Sequence, residues 1–280
     1  MTKVPVYITF FFVLVVLLLS GSSCRKSDRN KDNDLQSARD ISLAYAGWND
    51  LNRQLNVFAG SLPDLNPAPG PYVNTACGTV SVTPALPNPT FPKVATINYG
   101  NVNCTGPDGA VRKGMIVATF TGNYRDSLTV ITITPSNYYF NGFKIDGTFT
   151  ITNKGRNAAG NPVFTDNAAN VVYTYPSGKT VSWNSTQTRE MTQGSTTPDI
   201  FDDIYQLNGT GVATGSEATL INTYISQPIV FSLDCPWIKS GTLYVDPVNL
   251  GNRYINFGTG NCDNKATVWI FGANYSLDLY

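Results

Sequence analysis

The spacing of apolar residues divides the chain into a short helical segment and a long strand-rich segment. From Leu35 to Phe58 the apolar positions recur at steps of three and four, and Gly60 and Pro63 then interrupt the pattern. This spacing predicts an amphipathic helix over residues 35–60. Its opposite face is polar, with Asp40, Asn49, Asp50, Asn52 and Arg53. We expect the helix to lie across a sheet rather than to bind a partner or a membrane surface, because the polar face is not rich in lysine.

Beyond a proline-rich connector at residues 61–78, the apolar period changes to two. Alternating or β-branched runs occur at 114–124, 127–134, 143–153, 170–175, 180–186 and 241–247. Asn141-Gly142 is a strong hairpin signal, and "YPSGKTV" (175–181) indicates a second hairpin. Residues 61–280 are therefore predicted to be a mainly β domain of about a dozen strands, mostly antiparallel, in a large twisted sheet or a two-layer sandwich.

An internal repeat relates the two ends of this β domain. "INYGNVNC" (97–104) matches "INFGTGNC" (255–262) without a gap, and "KGMIVATFTGNY" (113–124) parallels "KATVWIFGANY" (265–275). "GTVSVTP" (78–84) also matches "GTLYVDP" (241–247). The sequence predicts two related units near residues 77–124 and 235–275, with the remaining strands inserted between them.

The repeat contains four of the five cysteines. Cys77 and Cys104 are 27 residues apart, as are Cys235 and Cys262. An even number of cysteines in an exported chain indicates disulfides rather than a metal site or catalysis. All three possible pairings respect the repeat. Locality favours Cys77–Cys104 and Cys235–Cys262.

The N-terminal segment is typical of an exported protein. Lys3 precedes an uninterrupted apolar core, "ITFFFVLVVLLL", which has the length of a signal-peptide core and is too short to span a bilayer. "SGSS" and Cys24 follow, which resembles the lipobox of bacterial lipoproteins. We expect residues 1–23 to be a lipoprotein signal peptide, Cys24 to be lipidated and residues 24–34 to be a polar tether. The alternatives are an ordinary signal peptide with an incidental cysteine, or an uncleaved anchor.

Composition narrows the possible chemistry. Lysine plus arginine and aspartate plus glutamate both number 19, so no net charge favours nucleic acid. The chain has no histidine, the commonest general base and neutral metal ligand. We therefore expect no metal, no cofactor and no catalytic residue. "SGKT" (177–180) lacks the glycine and the flanking elements of a P-loop and is interpreted as a hairpin turn.

Three segments of the sequence resemble those of a known family: "INYGNVNCTGPDGAVRKGMIVATFTGNY", "GTGNCDNKATV" and "NYYFNGFKIDGTFTITN". They resemble a family of uncharacterised lipoproteins widespread in Bacteroidetes, over roughly residues 75–280. The resemblance implies an exported, lipid-anchored β domain of unknown activity. We expect it in the bacterial cell envelope, at the outer membrane, on either its periplasmic or its surface face. The resemblance supplies no catalytic residues. "DSL" (126–128) also resembles an O-glycosylation sequon of this bacterial group, which makes Ser127 a candidate for modification.

Two further groups of residues are candidates for binding or chemistry. Tyr138, Tyr139 and Phe143 flank the Asn-Gly turn, where exposed aromatic rings would stack on a sugar or peptide. The alternative is that alternate members of the hairpin face the core. Trp183 and Trp269 lie in strand patterns and are predicted to be core residues. Asp199, Asp202 and Asp203 form an acidic cluster, interpreted as the first turn of a short helix rather than a calcium or acid–base site.

These observations favour a non-enzymatic envelope lipoprotein. We expect its membrane contact to be the lipid at Cys24 and its partner to be an unidentified protein or glycan. The alternatives are a surface glycan-binding accessory protein and, less favoured, a hydrolase that uses the acidic cluster at 199–203.

Overall fold

The computed structural model describes residues 32–66 and 77–280. Its helix is α1 (Gln36–Ser61). The strands are β1 (Thr79–Thr83), β2 (Lys93–Asn98), β3 (Cys104–Thr105), β4 (Val111–Phe120), β5 (Val130–Phe140), β6 (Phe143–Arg156), β7 (Pro162–Thr174), β8 (Thr180–Gln193), β9 (Ile204–Thr214), β10 (Leu220–Ser232), β11 (Ser240–Pro247), β12 (Arg253–Thr259), β13 (Lys265–Ile270) and β14 (Ala273–Asp278). The predicted signal peptide, Cys24 and most of the tether lie outside the described residues.

All strands belong to one antiparallel sheet. Its order follows the chain from β1 to β14, except that β3 pairs only with β4 and lies off the main path. Asn141 and Gly142 both have positive φ, at 50° and 87°, and form the predicted hairpin between β5 and β6. The segment "SGKT" is the predicted turn between β7 and β8, closed by the hydrogen bond from Tyr175 N to Lys179 O. Over the residues that the structure describes, the predicted mainly β fold with one N-terminal helix is confirmed, and the strands form a single sheet rather than a sandwich.

Helix α1 is enclosed by this sheet rather than laid on its surface. Nearly all of its 26 residues are buried. Its side chains contact strands that are far apart in the sheet: Trp48 packs against Phe231 of β10, and Asp50, two residues on and on the opposite side of the helix, accepts a hydrogen bond from Tyr138 of β5. Since opposite faces of the helix touch the same face of one sheet, the sheet curves around the helix.

The polar residues of α1 consequently do not form a solvent-exposed face. Asp40, Asn49, Asp50 and Asn52 are each 4% exposed or less. Tyr175 of the β7–β8 turn and the backbone N–H of Ser216 donate to Asp40, at 2.8 and 2.7 Å. The helical period is that of an amphipathic helix, but the second face is also buried. The sheet and its turns supply hydrogen-bond partners for Asp40 and Asp50, whereas Asn49 Oδ1 and Asn52 Nδ2 are buried without one among the described residues.

A buried charge cluster joins α1 to strand β4. Arg112 donates to Asp50 of the helix and to Asp108 of the β3–β4 loop, the second contact at 2.6 Å. Arg53 also donates to Asp108, at 2.6 Å, and Tyr138 donates to Asp50 at 2.5 Å. Burial acts to raise the pKa of Asp108, but the hydrogen bonds and charge of Arg112 outweigh it and hold that pKa below its usual value.

Glycines allow the sheet to bend. Gly147 in β6 has φ +118°, and a Cβ on it would lie 2.6 Å from the Val171 Cα of β7. Gly114 in β4 has φ +87°, and its Cβ would lie 1.9 Å from the Asn137 carbonyl oxygen of β5. The strand register shifts at both places. Bulges of this kind increase strand twist and curvature, as a sheet wrapped around a helix requires.

The two disulfides pair as locality favours. Cys77–Cys104 and Cys235–Cys262 have Cα atoms 5.7 and 5.8 Å apart. In each repeat unit, the strand that contains the Ile-Asn sequence pairs with the next long strand, β2 with β4 and β12 with β13. Ile97 lies opposite Ile116, and Ile255 lies opposite Val268.

Replacing either pair of cysteines with alanine is expected to lower the free energy of unfolding by about 3–4 kcal/mol. Both bridges span 27 residues, so removing either one raises the chain entropy of the unfolded state by the same amount. Denaturant unfolding of the Cys77→Ala/Cys104→Ala and Cys235→Ala/Cys262→Ala variants measures it. Unchanged stability in both variants would contradict the expectation.

Candidate functional site

The outer face of the sheet carries an aromatic row across four neighbouring strands. Tyr224 of β10 lies opposite Tyr244 of β11, Tyr244 opposite Tyr254 of β12, and Tyr254 opposite Trp269 of β13. The ring centroids are 4.6, 5.1 and 5.7 Å apart along the row. Direct cross-strand pairing therefore brings together four rings that are separated in sequence.

The residues on either side of each ring explain why the row faces outward. Tyr244 lies between Leu243 and Val245, which are both fully buried, and Trp269 lies between two aliphatic residues that are also buried. Because successive side chains of a strand point to opposite faces, the rings take the outer face. The two ends of the row are the most exposed, with Tyr224 at 44% and Trp269 at 41%.

An outer groove of about 700 Å³ adjoins the Tyr224 end of the aromatic row. It crosses β7 to β11, and Tyr224 and Tyr244 form part of its lining. Its other polar outward side chains are Asn167, Asn184, Thr186, Thr210, Asn222 and Asp246. The groove lies where the register of β10 shifts against both of its neighbours, after Tyr224 on one side and after Ile225 on the other.

The outer groove offers mainly neutral hydrogen-bonding groups beside aromatic rings. Amides and hydroxyls both donate and accept, and Asp246 adds one acidic acceptor. Burial raises the pKa of Tyr244, with a further contribution from Asp246. Such a surface suits a ligand that has apolar faces and many hydroxyl groups and carries no charge.

The aromatic residues predicted at the β5–β6 hairpin do not form an exposed stacking surface. Tyr138 is fully buried and Phe143 is 8% exposed, so both are core residues, which is the alternative stated for them, and neither is an exposed stacking surface. Tyr138 points to the helix, and Phe143 packs against Tyr175 and Tyr280. Tyr139 alone faces outward, with the Lys113 ammonium 4.2 Å from its ring. Because successive side chains of a strand point to opposite faces, Tyr138, which is next to Tyr139, points into the core.

The two tryptophans predicted as core residues differ. Trp183 is fully buried and packs against Tyr45 of α1, which confirms the prediction. Trp269 is in the aromatic row and 41% exposed, so the prediction is wrong there. The sequence signal that could have separated them is the pair of flanking residues: Trp269 lies between Val268 and Ile270, both of which are core residues.

The acidic cluster lies in the β8–β9 loop, which has no helix, contrary to our interpretation. Asp199 and Asp202 are exposed, whereas Asp203 is fully buried. Arg125 and Tyr205 donate to Asp203 Oδ2 at 2.9 and 3.0 Å. The carboxylates of Asp202 and Asp203 both lie beside Gly194, so two of the three acidic residues are neighbours. Within the described ranges, no group of three or more His, Cys, Asp or Glu side chains is placed to hold a metal ion.

Asp203 is expected to make stability depend on pH. Burial raises its pKa from 3.8 to about 7, although Arg125 opposes the shift. The folded state therefore keeps a proton that the unfolded chain loses, and the free energy of unfolding falls as pH rises from about 4 to 7, by at most about 4 kcal/mol. Denaturant unfolding measures this. As pH rises over this interval, the free energy of unfolding of the wild type should fall relative to that of Asp203→Asn. A difference independent of pH would contradict the assignment.

A second cavity, of about 550 Å³, lies beside the buried charge cluster. Arg53, Asp108 and Arg112 line it, together with Tyr99 and Trp237. Its two guanidinium groups already donate to Asp50, Asp108 and the Leu233 carbonyl. Because these charges are already paired with each other, they are better suited to holding α1 in place than to binding a ligand.

The remaining predicted sites concern modification. Ser127 is exposed in the β4–β5 turn, so it is accessible, and its O-glycosylation stays a prediction. Cys24 lies outside the described residues. Within 32–66 and 77–280, no helix combines the length and the hydropathy needed to cross a membrane. Comparison with family models, curated proteins and solved structures found no match to the chain.

Proposed function

We propose that the protein is a lipid-anchored envelope protein whose β domain binds a neutral glycan without converting it. The proposal of glycan binding rests on one observation, the aromatic row and the outer groove that adjoins it. Sugar rings present apolar C–H faces that pack on aromatic rings, and their hydroxyls pair with amide, hydroxyl and carboxylate groups. Tyr224, with Asn222 and Asp246 on the same outer face, offers both kinds of contact in one place.

The anchor is supported by the N-terminal sequence. The apolar core, the small residues and Cys24 have the order found in bacterial lipoproteins. An intact mass of the membrane-extracted protein tests it. A mass that begins at Cys24 and includes acyl chains supports the anchor, and a chain that begins later without them overturns it.

A glycan array probed with the mature protein tests the binding function. We expect retention of neutral oligosaccharides, with little change between low and high salt, because the outer groove has few charges. Binding restricted to polyanionic glycans and lost at high salt would contradict the proposal, as would retention of no glycan. Loss of bound sugar with release of products would instead indicate an enzyme.

A further inference from the structure

Exposed apolar side chains cluster on three turns at one end of the sheet. Leu220 begins β10, Val248 and Leu250 lie in the β11–β12 turn, and Phe271 lies in the β13–β14 turn. Their exposed fractions are 47%, 45%, 39% and 54%. We call these four residues the turn patch.

The turn patch is continuous. Val248 N donates to the Leu220 carbonyl at 2.9 Å, which joins the first two turns. The Phe271 ring packs against the backbone of Gly251, where a Cβ would lie 2.4 Å from the ring. Four apolar side chains of this size, exposed side by side, are unusual on a soluble surface that has no partner.

The start of the folded domain is fixed beside the turn patch. Arg253, the first residue of β12, is fully buried. It donates to the Asp34 carbonyl at 2.9 and 3.2 Å, and also to the Gly251 carbonyl. The chain therefore enters the domain next to the turn that carries Leu250.

The length of the tether limits how far this end of the domain can be from Cys24. Asp34 lies ten residues beyond Cys24. Such a segment reaches about 35 Å at full extension and about 16–19 Å as a flexible coil. The segment is mixed in charge, with Arg25, Lys26, Arg29 and Lys31 beside Asp28 and Asp32. A lipid on Cys24 would hold the turn patch within this distance of the bilayer.

We infer that the turn patch rests in the membrane interface and acts as a second membrane contact beside the lipid. The inference rests on the proposed anchor. Aliphatic and aromatic side chains gain free energy when their exposed area enters the acyl boundary, and this contact adds to the membrane binding by the acyl chains on Cys24. Together the two contacts orient the domain, with the β4–β5 turn at the opposite end of the sheet pointing away from the bilayer.

Fluorescence quenching in vesicles tests the inference. The mature lipoprotein carries an environment-sensitive probe at Leu250→Cys, or at Leu128→Cys as the matched control, and is reconstituted in phosphatidylcholine vesicles with spin-labelled lipids. Leu128 is also an exposed leucine on a turn, 76% exposed, but it lies between β4 and β5. Both substitutions are at the surface, so folding is retained.

We expect the probe at position 250 to be quenched several-fold more than the probe at position 128. Equal quenching of the two probes in protein whose mass shows acyl chains would overturn the turn patch and leave the anchor standing. A mass without acyl chains would overturn the anchor, and the inference with it.

Discussion

Replacing Arg112 with methionine is expected to lower the free energy of unfolding by about 3–5 kcal/mol, because it leaves two buried carboxylates without their principal cation. Asp50 and Asp108 are both 3% exposed at their side chains. Arg53 still reaches Asp108, but among the described contacts Asp50 would keep only the hydrogen bond from Tyr138. Denaturant unfolding measures the loss.

Lys265→Met is the matched control for this prediction. Lys265 also pairs with an aspartate, Asp278, at 2.6 Å, but both side chains are well exposed, at 65% and 70%. The control should cost less than about 1 kcal/mol. Adding Asp50→Asn to Arg112→Met should recover part of the loss, since it removes the unpaired charge. Equal losses in Arg112→Met and Lys265→Met would show that the cluster does not hold α1 in the sheet.

Replacing Gly147 with alanine is expected to cost about 3 kcal/mol or more. The new Cβ would meet the Val171 Cα at 2.6 Å and the Asn170 carbonyl oxygen at 2.7 Å, and both are backbone atoms that cannot rotate away. The φ of +118° adds a conformational cost for any residue with a Cβ. Thermal and denaturant unfolding both measure the effect.

Gly160→Ala separates the steric cost from the conformational one. Gly160 lies in the β6–β7 turn with φ +82°, and nothing lies within 4 Å of its Cβ position. It should cost only about 1–2 kcal/mol, the penalty of the left-handed backbone. If Gly147→Ala cost no more than this, the bulge would not determine how the sheet curves around the helix.

The helix shows how much of the fold the apolar periodicity can predict. Steps of three and four predict a helix over 35–60, and α1 spans Gln36–Ser61. The burial of Asp40 and Asp50 could not be predicted in this way. It depends on Tyr175 and Arg112, whose positions on the inner face follow from the register of a sheet that the helix pattern does not describe.

For the candidate site, too, the sequence predicts which face a side chain takes but not which residues it meets. The order Leu243-Tyr244-Val245 indicates which face of its strand Tyr244 takes, because the aliphatic neighbours are core residues. That it meets Tyr224 and Tyr254 depends on turn lengths and on the bulges of β10 and β11. The aromatic hairpin was the more visible signal in the sequence, but alternation places Tyr138 inside.

The dissociation constant of the Tyr224→Ala variant for a glycan selected on the array tests the central claim most directly. Tyr139→Ala is the control, since Tyr139 is a half-buried outward tyrosine of β5 that does not line the outer groove. We predict at least a tenfold weaker affinity for Tyr224→Ala, as expected for an aromatic residue that contacts the ligand directly, and no change for Tyr139→Ala. Unchanged affinity in Tyr224→Ala, or loss in Tyr139→Ala alone, would contradict the assignment of glycan binding to the aromatic row and outer groove.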